Sequence, residues 1–343
     1  MSAGMEREFL EQALDRHGRV RLAHLPTPLE PCDRLSAELG GPPVWVKRDD
    51  LTGLAMGGNK TRQLEHVFAD VLARGADCIV IGAYTQSNWC RQATAAATRL
   101  GLGVHLVLMH GEKGPLLQGN LLLDRLMGAD VRIVGLDSME KLQPELDITF
   151  ERLKAEGRNP YMIEPMGLDN LSLGALGYVG CALELDRQFD ELGLDPAAIY
   201  LCGANMTPAG LALGLKALGR RARIVNIAPV TWSMPRDEDI VRIAGATAKR
   251  LGIDTRLAPG DIVNHDEFIG ERYGLVTEAG NEALKLAART EALLLDPVYS
   301  AKAMSALIAH IREGRLAGDE PVVFIHTGGN PALFAYADDL GLE

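Results

Sequence analysis

The stretch "VWVKRDDLTGLAMGGNKTRQLE", residues 44–65, begins with the composition of a β-strand and ends with that of an α-helix. Its first residues form a short β-branched and aromatic run, which is typical of a strand. Beyond the paired glycines, apolar residues recur at helical spacing until Gly75 ends the pattern: Leu64, Val67, Phe68, Val71 and Leu72. The stretch therefore predicts a strand, a loop and an amphipathic helix with one buried face.

The same alternation of short β-branched runs and longer helical segments continues along the chain. The predicted strands are "VWVKRD" (44–49), "CIVIGA" (78–83), "VHLVLM" (104–109), "DVRIVG" (130–135), "AIYLC" (198–202), "RIVNIAP" (223–229) and "VVFIHTG" (322–328). Repeated βα units indicate an α/β protein with a mostly parallel sheet covered by helices. No repeat of fixed period and no low-complexity linker marks a domain boundary.

Composition and charge exclude several classes of protein. With 343 residues, of which 47% are hydrophobic, the chain can bury the core of a two-lobed unit or of two domains. Its net charge of −11 argues against nucleic acid and anionic membranes as partners, and no apolar run approaches a membrane span. We see no signal peptide, and five widely spaced cysteines indicate reduced thiols in a cytoplasmic protein. Without a C-x-x-C pair or an H-E-x-x-H helix, we expect no metal site.

Lys60 is an unusual residue for the first turn of a helix. It lies four residues before Leu64, on the face that the pattern buries, and a cation there opposes the helix dipole. An ordinary alternative is a lysine whose stem packs on apolar surface while its ammonium reaches water. However, Gly57 and Gly58 allow close approach of the backbone, and burial lowers a lysine pKa and yields a nucleophilic amine. Such an amine forms a Schiff base with an aldehyde, and pyridoxal 5′-phosphate is the obvious candidate.

A phosphate would need its own binding turn, and "CGANMTPAGLALGLKALG", residues 202–219, is the best candidate. A strand ends at Cys202, and we expect Thr207 to act as N-cap with Pro208 at the first helical position. Free backbone N–H groups at such a helix start bind phosphate without a basic side chain. Every βα unit has a turn of this kind, so an ordinary structural turn is the alternative.

A second strand-to-helix turn reads "GAYTQSNWCRQATAAATRLG", residues 82–101. Ser87 or Asn88 is predicted to cap its helix. The Ser87 hydroxyl and the N–H groups that follow could hold a substrate carboxylate, although capping alone would also explain these residues.

Taken together, these motifs resemble the fold-type II pyridoxal-phosphate enzymes, and within them the group of D-cysteine desulfhydrase and 1-aminocyclopropane-1-carboxylate deaminase. The resemblance covers nearly the whole chain and is carried by "LAHLPTPLEPCDRLS" (22–36), residues 44–65, "TQSNWCRQATAAATRLG" (85–101), "LLLDPVYSAKAMSALI" (293–308) and "FIHTGGNPALFAY" (324–336). It implies a tryptophan synthase β-like fold with a large cofactor-binding domain, 1–57 plus 168–343. A small α/β domain, 58–167, would be inserted in it, with the cofactor in the cleft. A homodimer is also implied.

The resemblance assigns roles to individual residues. Lys60 would carry the Schiff base with pyridoxal 5′-phosphate, Asn88 would lie near the phenolic oxygen of the cofactor, and Ser87 would receive the substrate carboxylate. The phosphate would bind at the turn formed by Gly203, Ala204, Asn205, Met206 and Thr207.

The C-terminal motifs complete the implied site. Tyr299 would be an aromatic residue at the cofactor face, and Tyr273 would be a second phenol of the active site. Thr327 would be the neutral partner of the pyridine nitrogen. In contrast, His326 is more typical of a strand-end histidine with satisfied hydrogen bonds than of a catalyst.

Several positions depart from the pattern of the family. Trp89 and Cys90 replace smaller residues after "SN" and are expected to reshape the substrate pocket. In the phosphate turn Asn205 and Met206 are unusual, and Pro208 removes one N–H donor. The deaminases characteristically have an acidic residue after "DPVY", whereas Ser300 follows here and favours the desulfhydrase-like branch.

The resemblance implies a lyase that acts on a small amino acid by α,β-elimination, giving a 2-oxo acid, ammonia and a released β-substituent. Ring opening as in 1-aminocyclopropane-1-carboxylate deaminase, and racemisation or dehydration, would share the early steps. A protein that binds the cofactor without catalysis is a rival from another class. A nucleotide-binding enzyme is disfavoured because no G-x-G-x-x-G turn follows an early strand.

Overall fold

A computed structural model of the protein describes residues 5–231, 234–316 and 318–342. Its strands within these ranges are β1 (Leu29–Pro31), β2 (Val44–Lys47), β3 (Cys78–Tyr84), β4 (Gly103–Met109), β5 (Asp130–Val134), β6 (Pro160–Ile163), β7 (Ala198–Cys202), β8 (Arg223–Ile227), β9 (Ile262–His265) and β10 (Val322–Ile325). The helices are α1 (Arg7–Asp15), α2 (Asp33–Leu39), α3 (Lys60–Ala73), α4 (Asn88–Arg99), α5 (Gly119–Leu126), α6 (Gln143–Ala155), α7 (Leu168–Leu192), α8 (Met206–Ala217), α9 (Arg236–Leu251), α10 (Glu278–Glu291), α11 (Ser300–Arg312) and α12 (Asn330–Ala335).

The strands form two sheets. The larger sheet has the order β1-β2-β10-β7-β8-β9 and the smaller one the order β5-β4-β3-β6. All pairings are parallel except that of β1 with β2. This arrangement confirms the predicted helix-covered, mostly parallel α/β fold.

Both ends of the chain contribute to the larger sheet. Strand β10 lies between β2 and β7, where Val322 is in register with Val44 on one side and with Ala198 on the other. The smaller sheet uses only strands from the middle of the chain, between residues 78 and 163. The domain division at 57/58 and 167/168 stays a prediction.

Close helix packing joins the first turn of α3 to α7 and α8. A Cβ atom at Gly177 of α7 would lie 2.3 Å from the carbonyl oxygen of Arg62 in α3. One at Gly210 of α8 would lie 2.1 Å from the carbonyl oxygen of Ala175 in α7. Because the backbones touch at both crossings, the start of α3 is held at a defined position relative to α8.

None of the helices in the described ranges combines the length and the apolar character needed to cross a bilayer.

Candidate active site

A cleft opens where the first residues of α3, α4 and α8 meet the loops that follow the parallel strands. Its walls come from segments far apart in sequence: 59–60, 82–84, 87–89, 202–206, 229–230 and 327–328, with single residues Met139, Pro165, Leu171, Tyr273 and Tyr299. Ligands of α/β proteins bind at this edge of a parallel sheet, where loops and helix N-termini converge.

Lys60 is the first residue of α3, and its side chain lines the cleft. Enclosure by the cleft walls lowers the pKa of Lys60 to about 8, and the nearby Cys202 thiol only partly opposes this shift. The ammonium also lies 5.8 Å from the ring centroid of Trp89. The lowered pKa makes the neutral amine, the form that a nucleophile requires, more abundant near neutral pH than it is in an ordinary lysine.

The turn before Lys60 is bound to the C-terminal "HTGG" turn. Gly58 has φ +120° and donates its N–H to the Thr52 hydroxyl at 2.8 Å. Asn59 donates its N–H to the carbonyl oxygen of Thr327 at 2.9 Å. A Cβ atom at Gly328 would lie 2.6 Å from the Cα of Gly58, so glycine is needed at this contact. Thr327 and Lys60 are thereby placed on one wall.

The phosphate turn begins its helix differently from the prediction. Asn205, and not Thr207, is the N-cap, because its side chain accepts a hydrogen bond from the N–H of Met206 at 2.7 Å. Pro208 is therefore the third residue of α8, and not the first as predicted. Its missing N–H breaks no helical bond, since the first four N–H groups have no partner within a helix. The Thr207 hydroxyl instead accepts from Asn59 Nδ2 at 3.0 Å and Gln63 Nε2 at 2.8 Å.

The turn fits a phosphate group. Ala204, Asn205 and Thr207 have backbone N–H groups for which no described residue supplies an acceptor. They sit at the positive end of the α8 dipole, the usual site for a phosphate. A Cβ atom at Gly203 would lie 2.7 Å from Pro208 Cδ, so this turn requires a glycine there.

The second turn places Ser87, Asn88 and Trp89 in the cleft wall. Ser87 is the N-cap of α4, and its hydroxyl accepts a hydrogen bond from the N–H of Cys90 at 3.2 Å. The N–H groups of Asn88 and Trp89 have no acceptor among the described residues. This helix start therefore offers two N–H donors and a positive dipole to a carboxylate.

The structure does not bring Cys90 to the cleft, contrary to the prediction that placed it in the substrate pocket. It is fully buried, does not line the cleft, and packs into the apolar core around α3 and β3. Asn88 and Trp89 face the cleft, and the further rotation of about 100° per residue along α4 turns Cys90 toward the core.

Two tyrosines of the cleft lining face each other. The hydroxyl oxygens of Tyr273 and Tyr299 are 2.5 Å apart, and the Tyr273 ring stacks on Tyr84 with centroids separated by 4.8 Å. Burial raises the pKa of both phenols above the ordinary value of 10, so both keep their protons at neutral pH. Within the pair one hydroxyl donates and the other accepts, which leaves one hydrogen for the cleft.

Some residues that hold the site in place were not predicted from the sequence. Tyr84 belongs to a strand end, a position that could have been identified from the sequence. Asp296 holds the Tyr299 loop by accepting from the N–H groups of Val298 and Tyr299, both at 2.9 Å. His326 is a satisfied strand-end histidine, because Nε2 lies 3.1 Å from the carbonyl oxygen of Leu294 and Nδ1 accepts from the N–H of Gly328.

Comparison with known proteins agrees with this geometry. Residues 20–328 match the family model described as pyridoxal-phosphate dependent enzyme. The chain is 40% identical to D-cysteine desulfhydrase of Serratia proteamaculans and 39% identical to 1-aminocyclopropane-1-carboxylate deaminase of Burkholderia vietnamiensis. Both alignments span 95% of this chain and 98% of the relative.

A solved structure, described as an ACC deaminase homologue, superposes with a TM-score of 0.87 at 34% identity, covering 96% of this chain and 98% of that chain. The predicted resemblance and fold class are thus confirmed, and pyridoxal 5′-phosphate is the cofactor. The chain belongs to the family of pyridoxal-phosphate dependent enzymes, among its D-cysteine desulfhydrase and 1-aminocyclopropane-1-carboxylate deaminase relatives.

Proposed function

We propose that the enzyme eliminates sulfide from cysteine, in the D form named in the relatives, and yields a 2-oxo acid and ammonia. One observation carries this proposal: the lysine amine, a helix N-terminus with free N–H groups and a pair of protonated phenols line the same cleft. These groups match the needs of the reaction, which are a base, a carboxylate anchor and a proton donor for the departing sulfur.

Each residue has a defined task in this proposal. The Ser87 hydroxyl and the N–H groups of Asn88 and Trp89 bind the substrate carboxylate and fix the orientation of the Cα–H bond. Bound pyridoxal phosphate supplies an electron sink that makes the Cα proton acidic. The Lys60 amine, with its pKa lowered to about 8, accepts that proton. The Tyr273–Tyr299 pair donates a proton to sulfur as the Cβ–S bond breaks.

The charge of the cleft supports a neutral β-substituent. Among the described residues that line it, Lys60 carries the single charged side chain. A sulfonate would enter this cleft without a second cation to compensate it, which is unfavourable in a partly dehydrated site. A thiol meets no such penalty.

Ser300 supports the desulfhydrase-like branch through the loop that carries Tyr299. Its hydroxyl donates to Asp296 Oδ1 at 2.7 Å, behind the cleft wall. An acidic residue at position 300 would set two carboxylates against each other unless the loop moved. Ring opening of 1-aminocyclopropane-1-carboxylate is the second candidate, because relatives of both names match the chain equally well.

The test is release of 2-oxo acid by the purified holoenzyme from D-cysteine, L-cysteine, cysteate, D-serine and 1-aminocyclopropane-1-carboxylate. We expect D-cysteine to give the highest kcat/KM, with stoichiometric sulfide. Faster turnover of the cyclopropane substrate would select the second candidate. A protein that binds the cofactor but releases no oxo acid from any of the five would contradict elimination and ring opening, and the loss of optical activity of each amino acid would then distinguish racemisation from non-catalytic binding.

Replacing Tyr299 by phenylalanine is expected to lower kcat about 10²-fold while the absorption band of the cofactor is retained. The variant keeps the ring but removes the hydroxyl that pairs with Tyr273. Steady-state sulfide release measures the effect. Tyr200→Phe is a matched control. The hydroxyl of this buried tyrosine is hydrogen-bonded to Nδ1 of His310 at a distance of 2.8 Å, and this pair lies outside the cleft. Equal losses in both variants would contradict a specific role for Tyr299.

The domain division, the oligomeric state and the cellular location of the protein are proposed as well. We propose a small domain of residues 58–167, a homodimer and a cytoplasmic location. The smaller sheet supports the first, the family resemblance supports the second, and five buried free cysteines support the third.

A further inference from the structure

A buried hydrogen-bond relay runs from Arg91 through Asn120 to Asn88. Arg91 Nε donates to Asn120 Oδ1 at 2.7 Å, and Asn120 Nδ2 donates to Asn88 Oδ1 at 3.0 Å. Arg91 and Asn120 are fully buried, and neither lines the cleft, whereas Asn88 does. The relay therefore reaches the cofactor site from behind.

Chemistry fixes the orientation of both amides in this relay. A guanidinium can only donate, so the Asn120 atom that faces Arg91 must be oxygen. The other end of the Asn120 amide also faces the carbonyl oxygen of Gln86 at 2.8 Å, which can only accept. Two independent partners thus place Nδ2 of Asn120 against Asn88. The facing atom of Asn88 must then be its oxygen.

The orientation of the Asn88 amide determines which of its groups faces the cleft. With its oxygen bound to Asn120, Asn88 has its Nδ2 group left for another partner, and no described residue accepts from it. Nδ2 of Asn88 is not fully enclosed by protein atoms, so a ligand in the cleft that Asn88 lines can reach it. Asn88 therefore presents a hydrogen-bond donor and not an acceptor.

The same guanidinium holds the loop that precedes Lys60. Its terminal nitrogens donate to the carbonyl oxygen of Ala55 and, at 3.1 Å, to that of Gly57. Ala55 and Met56 have positive φ values of 43° and 69°, which are costly for residues with a side chain. Arg91 therefore stabilises a strained loop conformation just before the lysine.

We propose that Arg91 and Asn120 are positioning residues of the cofactor site: they lock Asn88 with its Nδ2 donor toward the phenolic oxygen of the cofactor. This inference rests on the proposed function for the place of the cofactor. A donor at the phenolic oxygen stabilises its anionic form, so that the oxygen holds a shared proton less tightly. The relay thereby sets the pH at which the visible band of the bound cofactor titrates.

The test is the pH profile of that band in Asn120→Asp. The new carboxylate still accepts from Arg91 but cannot donate, so the Asn88 amide is expected to rotate and turn its oxygen to the cleft. We expect the midpoint of the band to rise by about one pH unit. An unchanged pH profile would overturn the proposal.

Two further variants separate the relay from a simple effect of charge or folding. Asn120→Ala removes the donor without adding a charge and should raise the midpoint in the same direction. Asn88→Ala should raise it as well, and Asn88→Ala combined with Asn120→Asp should raise it no further. Additive shifts would show that Asn120 does not act through Asn88 and would contradict the relay.

Asn281→Asp is the matched control, because this amide also donates to a carbonyl oxygen, that of Leu340 at 3.1 Å, outside the cleft. It should leave the midpoint unchanged, and a shift equal to that of Asn120→Asp would overturn the proposal. Thermal unfolding of each apo-protein reports stability separately. Failure of the proposed function looks different, because it appears as absent sulfide release from D-cysteine and leaves the pH profile of the cofactor band unaffected.

Discussion

Lys60→Ala is expected to remove the visible absorption band of the bound cofactor and to lower kcat by at least about 10³-fold. Lys60 is the one amine side chain among the described residues that line the cleft. No other described residue there can form a Schiff base with an aldehyde, and Lys60 has a pKa near 8 for taking up the Cα proton. Absorbance after gel filtration measures cofactor retention, and sulfide release measures turnover.

Lys302→Met is the matched control for this experiment. Burial also lowers the pKa of Lys302, but its ammonium donates to the carbonyl oxygen of Ile269 at 2.6 Å, outside the cleft. This variant is expected to retain the band even if its stability falls. Retention of the band in Lys60→Ala, or its loss only in Lys302→Met, would show that the aldehyde-binding amine is misassigned.

Periodicity predicted the elements whose neighbours are mainly apolar. The strands at 78–83 and 104–109 are almost wholly buried in parallel pairings, and such strands read as continuous apolar runs. Strand β1 contains Pro31 and strand β6 begins with Pro160, and both are only three or four residues long. A strand that is short and contains proline shows no recognisable sequence pattern, because it forms only through pairing with a neighbouring strand.

Cap positions show the limit of local reasoning more sharply. Asn205 and Thr207 are both N-cap types, and although Asn is the better of the two, the proline after Thr207 favoured a helix that begins at Pro208. The hydroxyl of Thr207 accepts from the amides of Asn59, just before α3, and Gln63 in α3, and Asn205 caps the helix. The cap position therefore depends on a contact with α3, because Gln63 precedes Thr207 by 144 residues in the chain.

The Arg91–Asn120 relay was equally beyond prediction. Arg91 follows the "SNW" motif on α4 and carries a charge, so by type it suggests a solvent-facing position. Only the packing of α5 against α4 supplies the Asn120 amide that it binds, and only the loop geometry supplies the carbonyl oxygens of Ala55 and Gly57. Sequence patterns identified the residues that meet the cofactor, whereas the residues that hold them depend on tertiary contacts.

A buried cluster of charged residues surrounds Arg62 in the first turn of α3. Arg62 bonds both Asp49 and Glu184, with its NH2 nitrogen 2.8 Å and 2.9 Å from their oxygens. Lys47 is also paired with Glu184, and Tyr178 donates to Asp49 at 2.6 Å. The cluster joins β2, α3 and α7, two residues beyond Lys60.

Glu184→Gln is expected to lower the free energy of unfolding by about 3–5 kcal/mol, because it leaves Lys47 and part of Arg62 buried without a compensating charge. Urea unfolding of the apo-protein measures the change. Glu156→Gln is the control, since the pairing of this exposed residue, just after α6, with Arg152 contributes about 0.5 kcal/mol or less. Similar losses in the two variants would contradict a stabilising role for the buried cluster.

The pH dependence of stability gives this prediction a second, independent measurement. Burial disfavours the charged form of Glu184, but Arg62 and Lys47 outweigh it and lower the pKa from the ordinary 4.5 to about 2. Because the folded-state pKa is depressed, the stabilisation is complete above pH 4.5 and is lost as pH falls toward 2. The wild-type protein should therefore lose stability across this window, and Glu184→Gln should lose less, so the two unfolding curves converge in acid. A constant difference between them from neutral pH to pH 2 would show that Glu184 stabilises the fold through packing and not through its charge.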